Sequence, residues 1–546
     1  MRRFFTNLFY NDKLLCLLFI FIGSFICVQT KYEVLWDFGN YHYYNAWAFL
    51  NDRLNFDIVP ASINTFFNPL LDLPLYFIIE YLNDNLIISC ALQGIWFGLL
   101  LFVFFKFASL FFDINNVKGI CLIIVATTIA ATGQAAWFQA GTSSGEIQIA
   151  ILAFVSLYII FRMIKFSTEQ KWWKFLLSGL ILGCALGLKP TIIYICIASG
   201  LSLIFCYKCL SNPLKFIVLF AVGGLLGYLI TNGWWMYKLW DLYGNPFFPF
   251  LNGIFKSEYF DDFNYTDKRF IPPFKYMPIF PYIWMTEKYS TCETPFYDWR
   301  GIVFYTVALL SLGYLLVKPK RLVDLYKNNR LWFMYIVFML LAYLLWMFIF
   351  SIYRYLLVVE MASAIFFVRV IFGFKFKGFR TLLLQGLIAV YLCTNLILIP
   401  MNQQNNWAWG GRWYNQKMLE IEGIKLPDNT LLRLYNFPTA FVVPLFAKKT
   451  TNLRAVGYMH LNVDYMKGSD FVERGKFRQI RDEVVRNHKG PVVSIYRDLR
   501  SITQNRKKLY EILKHDLADQ SCRKLANSVD DCLYICVTKD LRDLIF

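Results

Sequence analysis

Long apolar runs recur from the N-terminus to about residue 400, and they constrain this chain more than any other feature. The first, "LLCLLFIFIGSFICVQ", ends at Gln29. Runs of about 18 residues or more are long enough to cross the hydrocarbon core of a bilayer as helices. A backbone in that medium must satisfy its own hydrogen bonds, which leaves helices as the open choice for such runs. Spans are therefore expected near 14–30, 85–112, 117–136, 145–166, 174–188, 190–207, 213–234, 300–317, 331–350, 355–373 and 379–400. The fold class is an all-α polytopic membrane protein of about eleven helices, with outer-face amphipathic helices and a small C-terminal α/β domain. The first run resembles a signal peptide. No small-residue cleavage site follows it and further spans do, so it reads as an uncleaved first helix. The pair 174–188 and 190–207 is broken at Lys189-Pro190 and forms either two thin spans or one re-entrant pair.

Charge confirms the class and sets an orientation. Only 17% of the chain is charged, against roughly 25% for a soluble domain. The net charge of +18 does not point to nucleic acid, because the basic residues fall in short alternating loops. Arg2, Arg3 and Lys13 precede the first span. Lys118, Arg162, Lys165, Lys208, Lys320 and Arg380 stand in later loops on the same side. This positive-inside pattern puts the N-terminus in the cytoplasm of a bacterial inner membrane and, with an odd number of crossings, the C-terminal region outside. Residues 1–400 then form a transmembrane domain with outer loops at 31–84 and 235–299, and 401–546 form an extracytoplasmic domain. Within it the runs "TLLRLYN", "PVVSIYRD" and "LYICVTKD" read as strands, and 470–489 and 504–518 as helices. The run 69–82, after Asn68-Pro69, is too short to cross. Among the thirteen cysteines, Cys522, Cys532 and Cys536 lie outside, where a disulfide persists. Cys522–Cys532 is the expected pair. No His/Cys spacing reads as a zinc site.

The candidate chemistry lies at outer helix ends. On a helix at 100° per residue, Trp36, Tyr43, Trp47, Leu50 and Leu54 of "VLWDFGNYHYYNAWAFLNDRL" make one apolar stripe, with Tyr41, Asn45 and Asp52 opposite. An amphipathic helix flat in the outer interface follows. Asp37 at its start is either a first-turn acid that favours the helix dipole or a general base. Glu146, in "GTSSGEIQIA", is again a first-turn acid or a functional carboxylate at membrane depth. Should it face Asp37, the two could share a divalent ion, Mg or Mn, or divide acid and base roles. Lys189 in "GLKPT" either snorkels or holds a phosphate. Arg354 in "FSIYRYLLVVE" either links to Glu360 within the bundle or clamps a phosphate bidentately; Arg300 in "YDWRG" is similarly placed. Gly244-Asn245-Pro246 reads as a turn inside an aromatic belt that also suits sugar rings. His42 stands five residues from Asp37, a poor fit to one α-helical face, and no metal site is drawn from it. Tyr41, His42, Asn45, Asn68, Asn245 and Glu360 are the substrate-binding candidates.

No P-loop or dinucleotide fingerprint appears. An enzyme that works outside the cytoplasm must take its activated group from a lipid carrier. At this point the chain resembles the GT-C superfamily of integral-membrane glycosyltransferases. The resemblance covers residues 1–400. It is carried by "WDFGNYHYYNAWAFL" after the first span, the "NPLLDLPLY" segment before a long helix, the acid of "GTSSGEIQIA", and "GLILGCALGLKPT". It implies a polyprenyl-phosphate sugar donor, a glycan, lipid or protein acceptor, and inverting displacement. The first-loop acid would be the catalytic base, here Asp37, and a second acid a helper or metal ligand, here Glu146. Lys189, Arg300 and Arg354 would hold the lipid phosphate. No "WWD" signature occurs in the outer domain, which weighs against oligosaccharide transfer to protein asparagine. The alternatives from other classes are a polymerase or ligase of lipid-linked glycans, a transporter or flippase, for which no internal repeat is found, and a non-catalytic assembly protein.

Overall fold

The computed structural model describes residues 11–30, 36–262, 264, 266–287, 290–292, 300–373, 417–421, 423–435, 437–458, 475–497, 520–528 and 532–545. The expected span 379–400 and helix 504–518 lie outside the described residues. The chain divides into two compact units. One is built from Met1–Thr30, Cys90–Gly233 and Asp267–Trp409, the other from Lys31–Ser89, Trp234–Thr266 and Gly410–Phe546.

The first unit is helical. Its elements are α1 (Asp12–Thr30), α2 (Leu86–Ala108, from Cys90 onward), α3 (Val117–Ala131), α4 (Glu146–Lys165), α5 (Trp172–Leu188), α6 (Ile193–Phe205), α7 (Pro213–Tyr228), α8 (Arg300–Val317), α9 (Pro319–Asn328), α10 (Arg330–Ile349) and α11 (Leu357–Gly373). Among the described residues six helices are long and apolar enough to cross a membrane, and a seventh if the α8–α9 pair, bent by 104°, counts as one span. Shorter apolar helices include Val117–Ala131, Trp172–Leu188 and Pro190–Phe205. Small residues let some of these helices approach to backbone contact, the device by which membrane helices associate where burial of apolar surface gives no net drive. A Cβ on Gly183 of α5 would stand 2.0 Å from the Gly224 carbonyl of α7, and one on Gly227 of α7 2.0 Å from the Leu180 carbonyl of α5.

Prolines and a left-handed turn set the breaks that matter later. Pro190 forbids a continuous helix, and the residue before a proline is driven to extended geometry. Lys189 accordingly sits at φ −152°, ψ 117°, between α5 and the 3-10 turn Pro190–Ile192. Gly145, at φ +80°, turns the chain into α4.

The second unit is built on a five-stranded sheet in the order β2-β1-β3-β5-β4, with β1 Leu431–Tyr435, β2 Arg454–Gly457, β3 Val492–Arg497, β4 Gln520–Lys524 and β5 Leu533–Thr538. β1 runs parallel to β2 and β3, while β5 is antiparallel to β3 and β4. The three expected strands are β1, β3 and β5. β2 and β4 carry Arg454, Gln520, Arg523 and Lys524, and their polarity hid them from a reading by apolar runs. The helix Gly475–Asn487 falls inside the expected 470–489.

Early residues complete this sheet unit. The Ile58 amide donates to the Ala455 carbonyl at 2.9 Å and the Gly457 amide to the Ile58 carbonyl at 2.8 Å, a parallel bridge that covers the β2 edge, where an open ladder would otherwise recruit foreign strands. Asp57 fixes the approach. It accepts two bonds from Arg53, at 2.7 and 2.9 Å, one from the Tyr44 hydroxyl at 3.0 Å and one from the Ala455 amide at 2.8 Å. Tyr435 stacks on Tyr496 and Tyr458, each at 4.5 Å, in one core with Phe66, Trp235 and Phe477.

Two expectations are corrected here. The disulfide joins Cys522 to Cys536, not to Cys532, because β4 and β5 pair in a register that sets Cys522 opposite Cys536. The second concerns residues 38–48. They do not lie half-exposed on a surface; every one of them is buried. The amphipathic count failed because the segment is not one regular helix. Phe38–His42 is a π turn that leads into the α-helix Tyr43–Leu50. Its polar residues also find partners inside the unit, so both faces are covered.

Candidate functional site

The candidate residues fall into two constellations, each within one unit. In the first unit three loops at helix ends converge: 132–146 between α3 and α4, the break at Lys189, and 350–356 between α10 and α11. Glu146 opens α4 and is 3% exposed; its Oε1 lies 2.6 Å from Lys189 Nζ. The same ammonium donates to the Ser144 carbonyl. Ser144 Oγ donates to Gln139 Oε1 at 3.1 Å, and Gln139 Nε2 donates to the Arg354 carbonyl at 3.0 Å. Thr142 and Ser144 share a hydroxyl contact at 2.9 Å. Lys189 and Arg354, remote in sequence, thus belong to one hydrogen-bonded network through the loop that carries Glu146.

Glu360 anchors the other flank. Its Oε1 accepts the Tyr353 hydroxyl at 2.7 Å and the Ala135 amide at 3.3 Å, and its Oε2 accepts the Ala136 amide at 3.3 Å. A Cβ at Gly133 would stand 2.3 Å from Glu360 Oε2, so a larger residue there requires the carboxylate to shift. The Arg354 guanidinium lies 5.2 Å over the Tyr355 ring, a cation–π distance. Its charge also acts on Asp267 in the loop that precedes α8. Burial pushes the Asp267 carboxyl up, but hydrogen bonds and charge from Arg269, with the charge of Arg354, outweigh it and hold the group below its ordinary value. Arg300 is the first residue of α8; its side chain is outside the described set.

In the second unit Asp37 stands at the N-terminal side of the π turn Phe38–His42 and His42 is its last residue. Asp37 is half-buried, and its side chain makes no capping hydrogen bond to the π turn. His42 is buried, with Nδ1 2.6 Å from Asp72 Oδ1. Such a carboxylate holds an imidazole in one tautomer and orientation. Tyr41 packs at 4.1 Å on the His42 ring. Asn45 Nδ2 donates to the Asn64 carbonyl at 2.8 Å, and its buried Oδ1 has no hydrogen-bond partner. Asn68 caps the turn Pro69–Leu71 through the Leu70 amide at 3.0 Å. Asn245 is fully buried and holds the loop 245–252 through Phe247, Phe250 and Asn252, as its turn motif predicts.

The π turn is held from the C-terminal part of the chain. Trp36 Nε1 donates to the Phe437 carbonyl at 3.3 Å and the Phe441 amide to the Gly39 carbonyl at 3.1 Å. Glu80 receives both the Tyr43 hydroxyl and Lys448 Nζ at 2.7 Å. Sequence reasoning missed Asp72, Gln139, Ser144 and Asp267. The "NPLLDLPLY" segment carried the Asp72 signal, but nothing local linked it to His42. Among the described residues no group of three or more His, Cys, Asp or Glu side chains could hold a metal ion.

What fold and residues define is a chain with a bundle of apolar, membrane-type helices and a separate sheet-bearing unit, each with buried ionic groups. No family model, no curated protein and no solved structure matches this chain.

Proposed function

We propose that this protein is a glycosyltransferase of the bacterial inner membrane that moves a sugar from a polyprenyl-phosphate donor to a glycan, lipid or protein acceptor at the outer face. The chain crosses about eleven times, with the N-terminus in the cytoplasm and the sheet-bearing unit outside. One observation carries the reading most: the network that joins Lys189 and Arg354 through Ser144 and Gln139. Two cations at helix breaks, Lys189 held by the Ser144 carbonyl and Arg354 fixed through its own carbonyl by Gln139, suit a lipid phosphate that gains charge as it leaves. Preorganised positive groups stabilise such charge without reorganising at the moment of reaction.

The acceptor hydroxyl is too weak an acid to attack unaided and needs a carboxylate to take its proton as it does so. Asp37 is assigned that role, with His42, oriented by Asp72, in the π turn that follows it. Displacement by the acceptor breaks the bond from sugar to phosphate oxygen and inverts the anomeric carbon. Glu146 balances Lys189, and Glu360 fixes the loop that carries Gln139. A divalent ion, Mg or Mn, would be an addition to this scheme and not a requirement of it.

The test is donor consumption by the full chain in lipid vesicles, with a panel of polyprenyl-phosphate sugars and release of the polyprenyl phosphate as readout. Asp37→Asn should lower turnover by about 10²- to 10⁴-fold. Equal turnover by wild type and Asp37→Asn removes the base assignment. Failure of wild type with every donor removes the donor class.

A further inference from the structure

The turn after α6 carries two thiols that the proposed transfer does not use. Cys206 caps α6, and Cys209 closes the 3-10 turn Tyr207–Cys209. The Cys209 amide donates to the Cys206 carbonyl at 2.8 Å. Side chains three apart in a 3-10 turn eclipse one another, so both sulfurs fall on one side. The neighbouring Cys206 side chain, helped by the charge of Arg330 and opposed by burial, pulls the Cys209 thiol down to about 7. The neighbouring Cys209 and burial push the Cys206 thiol up.

The surroundings hold the turn in place and keep it near the surface. Gln170 Nε2 donates to the Cys209 carbonyl at 2.9 Å, and Gln170 Oε1 accepts the Ser211 amide at 2.8 Å. Cys206 is 0% and Cys209 4% exposed, yet the residues between them, Tyr207 and Lys208, are exposed.

We propose that Cys206 and Cys209 form a redox-modification site, a dithiol that a peroxide converts to an intramolecular disulfide. The Cys209 thiolate attacks the peroxide O–O bond, which breaks to leave Cys209 sulfenic acid and hydroxide. The Cys206 sulfur then attacks the sulfenic sulfur. The S–O bond breaks, and the departing hydroxide leaves as water with the Cys206 proton. The peroxide is reduced and the two thiols are oxidised. The ends of a tight turn lie within about 7 Å, comparable to the span of about 4.4–6.8 Å that a disulfide bridges. This site is independent of the glycosyltransferase reading.

The experiment treats the full chain, purified in detergent at neutral pH, with hydrogen peroxide. Remaining thiols are alkylated after unfolding and the peptides are weighed. The expected result is loss of two hydrogens from the peptide that holds Cys206 and Cys209, reversed by reductant. In Cys206→Ser, a dimedone adduct should appear on Cys209. In Cys209→Ser, Cys206 should stay a thiol. Full alkylation of both cysteines in treated wild type overturns the proposal, as does a disulfide from either one to another cysteine. The wild-type mass decides the matter even if a variant fails to fold.

Discussion

Lys189 and Glu146 form an ion pair at 2.6 Å within the helical unit, with side chains 17% and 3% exposed. One ends a helix that a proline breaks, and the other begins a helix that a left-handed glycine starts. Burial makes the pair interdependent. To remove one partner leaves the other charge buried and uncompensated, which costs more than the pair itself contributes.

Lys189→Met should therefore lower stability by about 3–5 kcal/mol, and Glu146→Gln by a similar amount. The double variant should lose clearly less than the sum. Thermal unfolding in detergent, followed by tryptophan fluorescence, reads all three. Strict additivity would mean that the two groups act separately.

Gly133→Ala places a methyl 2.3 Å from the present position of Glu360 Oε2. The carboxylate must leave the Tyr353 hydroxyl and the Ala135 and Ala136 amides. A loss of about 1–3 kcal/mol is expected. Glu360→Asp in the same chain withdraws the carboxylate and should recover part of it. Unchanged unfolding of Gly133→Ala would show that the loop has room after all.

The Cys522–Cys536 bridge closes a short loop between β4 and β5. Its removal by Cys536→Ser should destabilise the sheet unit by about 3 kcal/mol, largely through the unfolded chain. Urea unfolding of wild type with and without reductant should reproduce the difference. Peptide mapping without reductant should find Cys522 joined to Cys536 and not to Cys532.

Asp267 links stability to pH. Its carboxyl is held below the ordinary value, chiefly against burial, by Arg269 and Arg354. A lowered folded value means that the group's contribution is fully present above its unfolded value, about 3.9, and is lost as pH falls through the folded value. Acid unfolding of wild type below about pH 4 should thus be steeper than that of Asp267→Asn. Parallel curves would show that the carboxyl is not stabilised by these arginines.

The sequence by itself determined the class of structure. Apolar length and backbone hydrogen bonding force helices within a few residues of where α1, α4, α7, α8, α10 and α11 run, and short strand-like runs marked β1, β3 and β5. Those signals are local, carried by consecutive residues. The same local reading marked Asp37, Glu146, Lys189, Arg354 and Glu360 as unusual, because charge beside apolar runs is costly wherever the chain folds. Tertiary structure alone decided their partners. Glu146 meets Lys189, Glu360 meets the amides of 135–136, and His42 meets Asp72, since a hydrogen bond depends on distance in space and not in sequence. It also decided that residues 31–89 and 234–266 join the C-terminal sheet in one unit. The π turn at 38–42 lay beyond the sequence for a related reason. A change of helical period has no compositional mark, and residues 38–48 are buried on both sides where the α-helical period left them half exposed.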